Sequence, residues 1–230
     1  MCGRFIAKTD HAWQNFFTLK KPPPEFVSYN IAPTQSIPVV LRVEDGNDCQ
    51  LMRWGLIPFF AKGVAGAYST INARVETMTT SPAYRGPWKR GQRCIIPANG
   101  FYEWQELAGG KQPWFIRLRD QELFGFAGLW DRSVTAEGEA IHSCTIVTLP
   151  ASPFMAEIHN TRKREPAIVR AHEHEAWLGG DAERASAVLH AAAEGELVAH
   201  RVSRRVNSPR NHGEALLAEV PAEGATADTR

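Results

Sequence analysis

The feature that most restricts the fold is a succession of short β-branched and aromatic runs over the first two thirds of the chain, parted by Gly, Pro and Asp turns. IPVVLRV (37–43), CQLMRW (49–54), RCIIPA (93–98), WFIRL (114–118), LFGFAGLW (123–130) and CTIVTL (144–149) each read as a strand. EPAIVR (165–170) and LVAHRVSRRV (197–206) predict two more. Helix signals are fewer. One runs from Thr9 to about Leu19 with Trp13, Phe16 and Phe17 on its buried side, and KPPPE ends it; others cover 153–158, 172–178 and 181–193. Strands succeed strands without helices between them, which excludes a regular βαβ alternation. The expectation is an α+β fold, a single compact domain with barrel-like, mostly antiparallel β-structure and peripheral helices. It spans 1–212, and 213–230 form a C-terminal tail expected to be partly disordered.

At 230 residues, 43% hydrophobic and 22% charged, the chain has the composition and size to bury one sizeable core. It contains no run of eighteen apolar residues, so no membrane span is expected, and no apolar leader precedes the first strand. Cys2, Cys49, Cys94 and Cys144 lie 45 to 50 residues apart with no C-x-x-C, which argues against a zinc site and a disulfide framework. A reduced, cytoplasmic setting is expected, with no metal and no cofactor. The net charge of +1 excludes a uniformly basic nucleic-acid binder, but the cations are clustered. Arg85, Lys89, Arg90 and Arg93 form one group; Arg162, Lys163, Arg164 and Arg170 a second; Arg201, Arg204, Arg205 and Arg210 a third. If they converge they make a phosphate-binding surface; if not, they are solvated loops.

Several polar residues exceed what packing needs. In STINARVET, Asn72 and Arg74 alternate and so share a face; Asn72 can equally hold a turn. GFYEW sets Glu103 between Tyr102 and Trp104, where desolvation would suit it to proton shuttling, or it is an exposed hairpin carboxylate. EIHNTRKREP puts His159 at the end of a short helix, facing either phosphate or the core. At the N-terminus, MCGRF raises a further possibility. Removal of Met1 leaves Cys2 with a free α-amine and a thiol two carbons apart, a 1,2-aminothiol that reacts with aldehydes.

MCGRF, YNIAPT, WGLIP, INARVET, RCIIPANGFYEW, IVTLPA, IHNTRKREPAIV and VSRRVNSP, in that order, resemble the SRAP family of SOS response-associated peptidases. The resemblance runs from residue 2 to about 210. It implies a compact α/β fold around a barrel-like sheet and recognition of abasic sites in single-stranded DNA, as part of the DNA damage response. It further implies a covalent thiazolidine crosslink through Cys2, shielding the site from strand cleavage, lyase-type chemistry together with a peptidase (hydrolase) activity that removes Met1, and a monomer acting at the nucleoid. Position by position, Cys2 matches the nucleophile, Asn72 the residue that orients it, Glu103 the acid/base and His159 the histidine assisting the sugar chemistry. Arg4, Arg74 and Thr148 match residues lining the DNA strand, and Pro33 and Trp104 match apolar base contacts; Gly3, which keeps the backbone slim beside the strand, and Arg162 and Arg204 are further expected DNA contacts. Phe60 replaces a tryptophan of many members, which implies weaker stacking, and Glu165 replaces an apolar residue, which implies a negative charge near the DNA path. Two other activities use the same residues: an N-terminal cysteine peptidase or amidohydrolase, and a noncovalent single-strand binder.

Overall fold

The β-branched runs do become strands in the computed structural model, which describes residues 2–66 and 69–221. In chain order the first half supplies β1 (Phe5–Lys8), α1 (Ala12–Phe16), β2 (Val27–Ile31), β3 (Ser36–Val43), β4 (Gly46–Trp54), β5 (Asn72–Arg74), α2 (Arg85–Lys89), β6 (Arg93–Ala98) and β7 (Gly100–Leu107). The second half supplies β8 (Gly110–Leu118), β9 (Phe124–Val134), β10 (Ala140–Pro150), α3 (Pro153–Ile158), β11 (Arg164–Pro166), β12 (Ile168–Val169), α4 (His174–Gly179), α5 (Ala182–Ala187) and β13 (Leu197–Arg201). They form a five-stranded sheet in the order β13-β8-β7-β1-β2 and an eight-stranded one in the order β11-β10-β4-β3-β6-β9-β12, with β5 paired only to β10. The pairings are antiparallel except those of β10 with β4 and β5. The expected α+β class, strand-dominated and in one domain, is what the chain adopts.

One core fills the space between the sheets. Phe5, Phe101 and Ile116 from the smaller sheet meet Ile95, Phe126 and Val147 from the larger. The Phe5 ring stands edge-on to Trp54 at 5.1 Å and to Phe126 at 5.8 Å, a geometry that aromatic quadrupoles favour. Gly100 is required where the sheets turn: a Cβ there would lie 2.3 Å from the Phe115 ring. Strand alternation then divides β7, with Phe101 and Glu103 on the core side and Tyr102 and Trp104 on the other. On that outer side a smaller cluster of Ile6, Tyr102, Phe115, Val202 and Val206 is covered by the chain after β13.

Some sequence expectations are corrected. The helix predicted from Thr9 to Leu19 is only α1; its first free N–H, on Ala12, is capped by Asp10 at 2.8 Å, and Thr9 instead bonds Pro24 O. The helix over 181–193 stops at Ala187, and the chain beyond is held by carboxylates, with Glu165 accepting from Ala192 N and Glu196 from Ala193 N. The strand over 197–206 ends at Arg201 and gives way to a 3-10 turn, Arg204–Asn207. Residues 213–221, read as tail, fold back: Leu216 is buried and Val220 N donates to Arg201 O. The remainder of that tail, 222–230, lies outside the described residues. No helix among the described residues is long and apolar enough to cross a membrane.

Candidate functional site

Cys2 begins the site. It is fully buried, and Asn72 Nδ2 donates to its carbonyl at 2.9 Å. Burial foremost, then the nearby Glu103 carboxylate, pushes its thiol well above the ordinary cysteine range, while the Arg4 main-chain N–H partly offsets this. The sulfur is therefore held as a thiol at neutral pH.

Glu103, brought inward by the alternation of β7, is 2% exposed. His159 follows the last turn of α3, and its Nδ1 lies 4.0 Å from Glu103 Oε1. The same Nδ1 sits 2.8 Å from Arg164 O, which orients the ring. Glu103 and His159 line a cleft of about 630 Å³ together with Ile71, Trp104, Lys111 and Arg162. Trp104 closes one side, its Nε1 donating to Asn207 Oδ1 at 2.8 Å. Arg162 also lines an adjoining recess with Arg74 and Glu76. The structure thus puts Glu103 and His159 in a cleft whose lining also carries Arg162 and Lys111, and Cys2, held by Asn72, lies buried near Glu103 behind that lining. Arg204 is exposed, 3.5 Å from Gly109 O at the β7–β8 turn. Pro33 and Gly3 are half-buried.

Other residues are placed differently from what the resemblance implies. Arg4 turns its guanidinium into the fold, with Nη1 donating to Asn30 Oδ1 and to Val206 O, each at 2.8 Å. Asn30 in turn donates to Ser208 O and Asn211 O, so the two residues clasp the chain after β13 to β1 and β2. Thr148 is completely buried mid-strand, because Arg164 closes over it and donates to Thr148 O at 2.7 Å. The Arg164 guanidinium also grips both carboxylate oxygens of Glu76, which holds that carboxyl below its usual range. Arg74 is exposed although Asn72, two residues earlier, is not. Glu165 does not face the cleft: it is buried and accepts from Ser152 N and Ala192 N at 2.7 Å each, capping two loops. Phe60 is exposed beside Phe59, whose ring lies under Arg90.

The three basic segments do not converge. Arg93 is buried with Nε donating to Trp177 O, Arg90 pairs with Asp131, and no described residue of 85–93 lines the cleft or the recess. Sequence reasoning missed Lys111, Ile71 and Asn207 as cleft residues and Tyr84, whose hydroxyl bonds Asn72 O at 3.1 Å. Ile71 and Asn207 carried a signal, inside the INARVET and VSRRVNSP motifs, whereas Lys111 and Tyr84 lie in none of the motifs. Among the described residues no group of three or more His, Cys, Asp or Glu side chains converges to hold a metal.

A strand-dominated fold in which a buried cysteine just ahead of the first strand meets a glutamate and a histidine defines the class of this site. The chain is a member of the SOS response associated peptidase (SRAP) family, whose sequence model matches residues 1–209. Among its relatives is the abasic site processing protein YoaM of Bacillus subtilis, 39% identical, the alignment covering 94% of this chain and 97% of YoaM. The abasic site processing protein HMCES of Gallus gallus is 34% identical over 85% of this chain and 66% of its own length. A crystal structure of a protein from Bordetella bronchiseptica superposes with a TM-score of 0.78 at 28% identity, covering 88% of this chain and all of that one.

Proposed function

We propose that this protein processes abasic sites in single-stranded DNA by capturing the sugar aldehyde through both the α-amine and the thiol of Cys2. The observation that carries the reading is the setting of Cys2, its carbonyl held by Asn72 and its sulfur near Glu103, beside a cleft with cations in its lining. The name shared by relatives from a bacterium and a bird supports it.

The sequence carries Met1 ahead of Cys2, so the amine is available only once that residue is removed. A free α-amine, with a pKa of about 7.7–8.0, is neutral in a useful fraction at pH 7, whereas a lysine at about 10.4 is not. The amine nitrogen attacks the aldehyde carbon and water leaves, giving an imine. The thiol then adds to that carbon, its proton passes to nitrogen, and a five-membered thiazolidine closes; the sum is aldehyde plus aminothiol giving thiazolidine plus water. Glu103 takes the proton from the thiol and returns it to nitrogen, and His159 assists the opening of the closed sugar. An imine left open can lose the proton beside it and break the strand. Ring closure within one residue reaches effective molarities of about 10⁵ M or more and outruns that loss.

Arg162, Arg74 and Arg204 would contact phosphates, and Trp104 and Pro33 would hold bases apart, so that single-stranded DNA is the partner and no cofactor is needed. Arg4 and Thr148 would act from behind the surface, by holding its shape. An amide-cleaving peptidase would want a thiolate, and burial beside Glu103 moves Cys2 the other way.

The test is incubation with single-stranded DNA carrying one abasic site, followed by a denaturing gel. A shifted band is expected that Cys2→Ala abolishes, while Cys2→Ser leaves a borohydride-trappable imine and more strand cleavage. A band that survives Cys2→Ala overturns the proposal.

A further inference from the structure

β5 is three residues long and pairs on one side only, in parallel with β10. Its neighbours show which way its groups point: Ile71 O accepts from Ile146 N, and Val75 N donates to Thr148 O. Alternation therefore aims the Asn72 carbonyl off the opposite edge, where no strand lies to receive it. Asn72 is only 8% exposed, so water does not serve that oxygen freely, and a buried carbonyl without a donor is costly. The donor is Tyr84. Its ring is buried after the turn that begins α2, and its hydroxyl donates to Asn72 O at 3.1 Å. The phenol does for this edge what a fourteenth strand would do.

The consequence reaches Cys2. One hydrogen bond fixes the Asn72 main chain on its open edge, and the next, from Asn72 Nδ2, fixes the Cys2 carbonyl at 2.9 Å. Loss of the first frees the peptide after Asn72 to tilt, and the side-chain amide tilts with it. Burial pushes the Tyr84 hydroxyl up to about 12, so it remains a donor across the working pH range.

We infer that Tyr84 is a positioning residue for the covalent step, acting through Asn72 to hold the Cys2 backbone in register with the sugar carbon. This rests on the crosslinking reading above and adds to it a residue that touches neither DNA nor the reacting atoms.

Tyr84→Phe keeps the ring and removes the hydroxyl, which donates to Asn72 O and also neighbours the Thr145 side chain. Single-turnover crosslinking at saturating abasic DNA is expected to slow by about three- to tenfold, the ordinary range for one net hydrogen bond. Affinity for a strand carrying tetrahydrofuran, an abasic analogue without an aldehyde, should stay within about twofold, because the cleft is untouched. In an Asn72→Ala background Tyr84→Phe should have no further effect, as two residues in one relay are not additive. An unchanged rate, a loss of affinity or of folded protein matching the loss of rate, or a further loss in the Asn72→Ala background each overturns the inference. If the unaltered protein forms no crosslink, the functional reading fails; if it does and Tyr84→Phe behaves as just described, both stand.

Discussion

At the scale of single residues, the proposed crosslinking route puts the first bond on the α-amine of Cys2, so the pH dependence of adduct formation should follow that amine. The rate should rise with pH and level off above about 8, which stopped time courses between pH 6 and 9 can measure. Glu103→Gln keeps the shape but removes the base. Thiol closure should slow by about 100-fold, and cleaved strand should accumulate in place of the stable adduct on a sequencing gel. These four residues were legible in the sequence because each sits in a motif with an unusual neighbour: Glu103 between aromatics, His159 before cations, Asn72 before Ala-Arg, Cys2 beside the initiator. Arg4, Thr148 and Glu165 were misread for one shared reason. Each is bound by a partner at least thirteen residues away, Val206, Arg164 and Ser152 among them, and no local pattern announces such a partner.

At the scale of elements, the apolar centres of the longer strands were read, since continuous burial leaves a plain signal, but β8, β9 and β10 each run about four residues further at one end, where polar residues enter. β1, β2, β5 and β7 were not read as strands: β1 and β5 are too short to carry a period, and β2 and β7 mix polar with aromatic residues. The segment after β13 was also misjudged: its order comes from the Arg4–Asn30 clasp and not from its own composition. Asn30→Ala would strip donors from Ser208 O and Asn211 O and a partner from Arg4 at once. A loss of about 2–4 kcal/mol is expected in urea unfolding, with a larger fractional loss of adduct formation than Tyr84→Phe gives. A neutral outcome would mean that the clasp is dispensable and that the small outer cluster alone holds this segment.

For the molecule as a whole, stability should fall in mild acid. His174 is buried against Phe16 and Phe17, and loss of hydration lowers its pKa to about 4. The unfolded chain, with histidine near 6.5, binds the extra proton first as pH drops. The contribution is therefore complete above about 6.5 and lost progressively toward 4, amounting to about 3 kcal/mol. Urea midpoints at pH 7.5 and 5 should differ accordingly, and His174→Phe should flatten the difference. Binding of undamaged single strands should weaken steeply with salt, since Arg74, Arg162 and Arg204 are exposed.

The clasp has one more effect, on the order in which the protein comes into being. Arg4 and the carbonyl it grips are 202 positions apart, so the first strand is not locked until Val206 has left the ribosome. A shorter nascent chain carries Cys2 but not the segment after β13 that clasps its strand. On the crosslinking route proposed above, competence to trap a lesion would arrive only once that distant contact has closed.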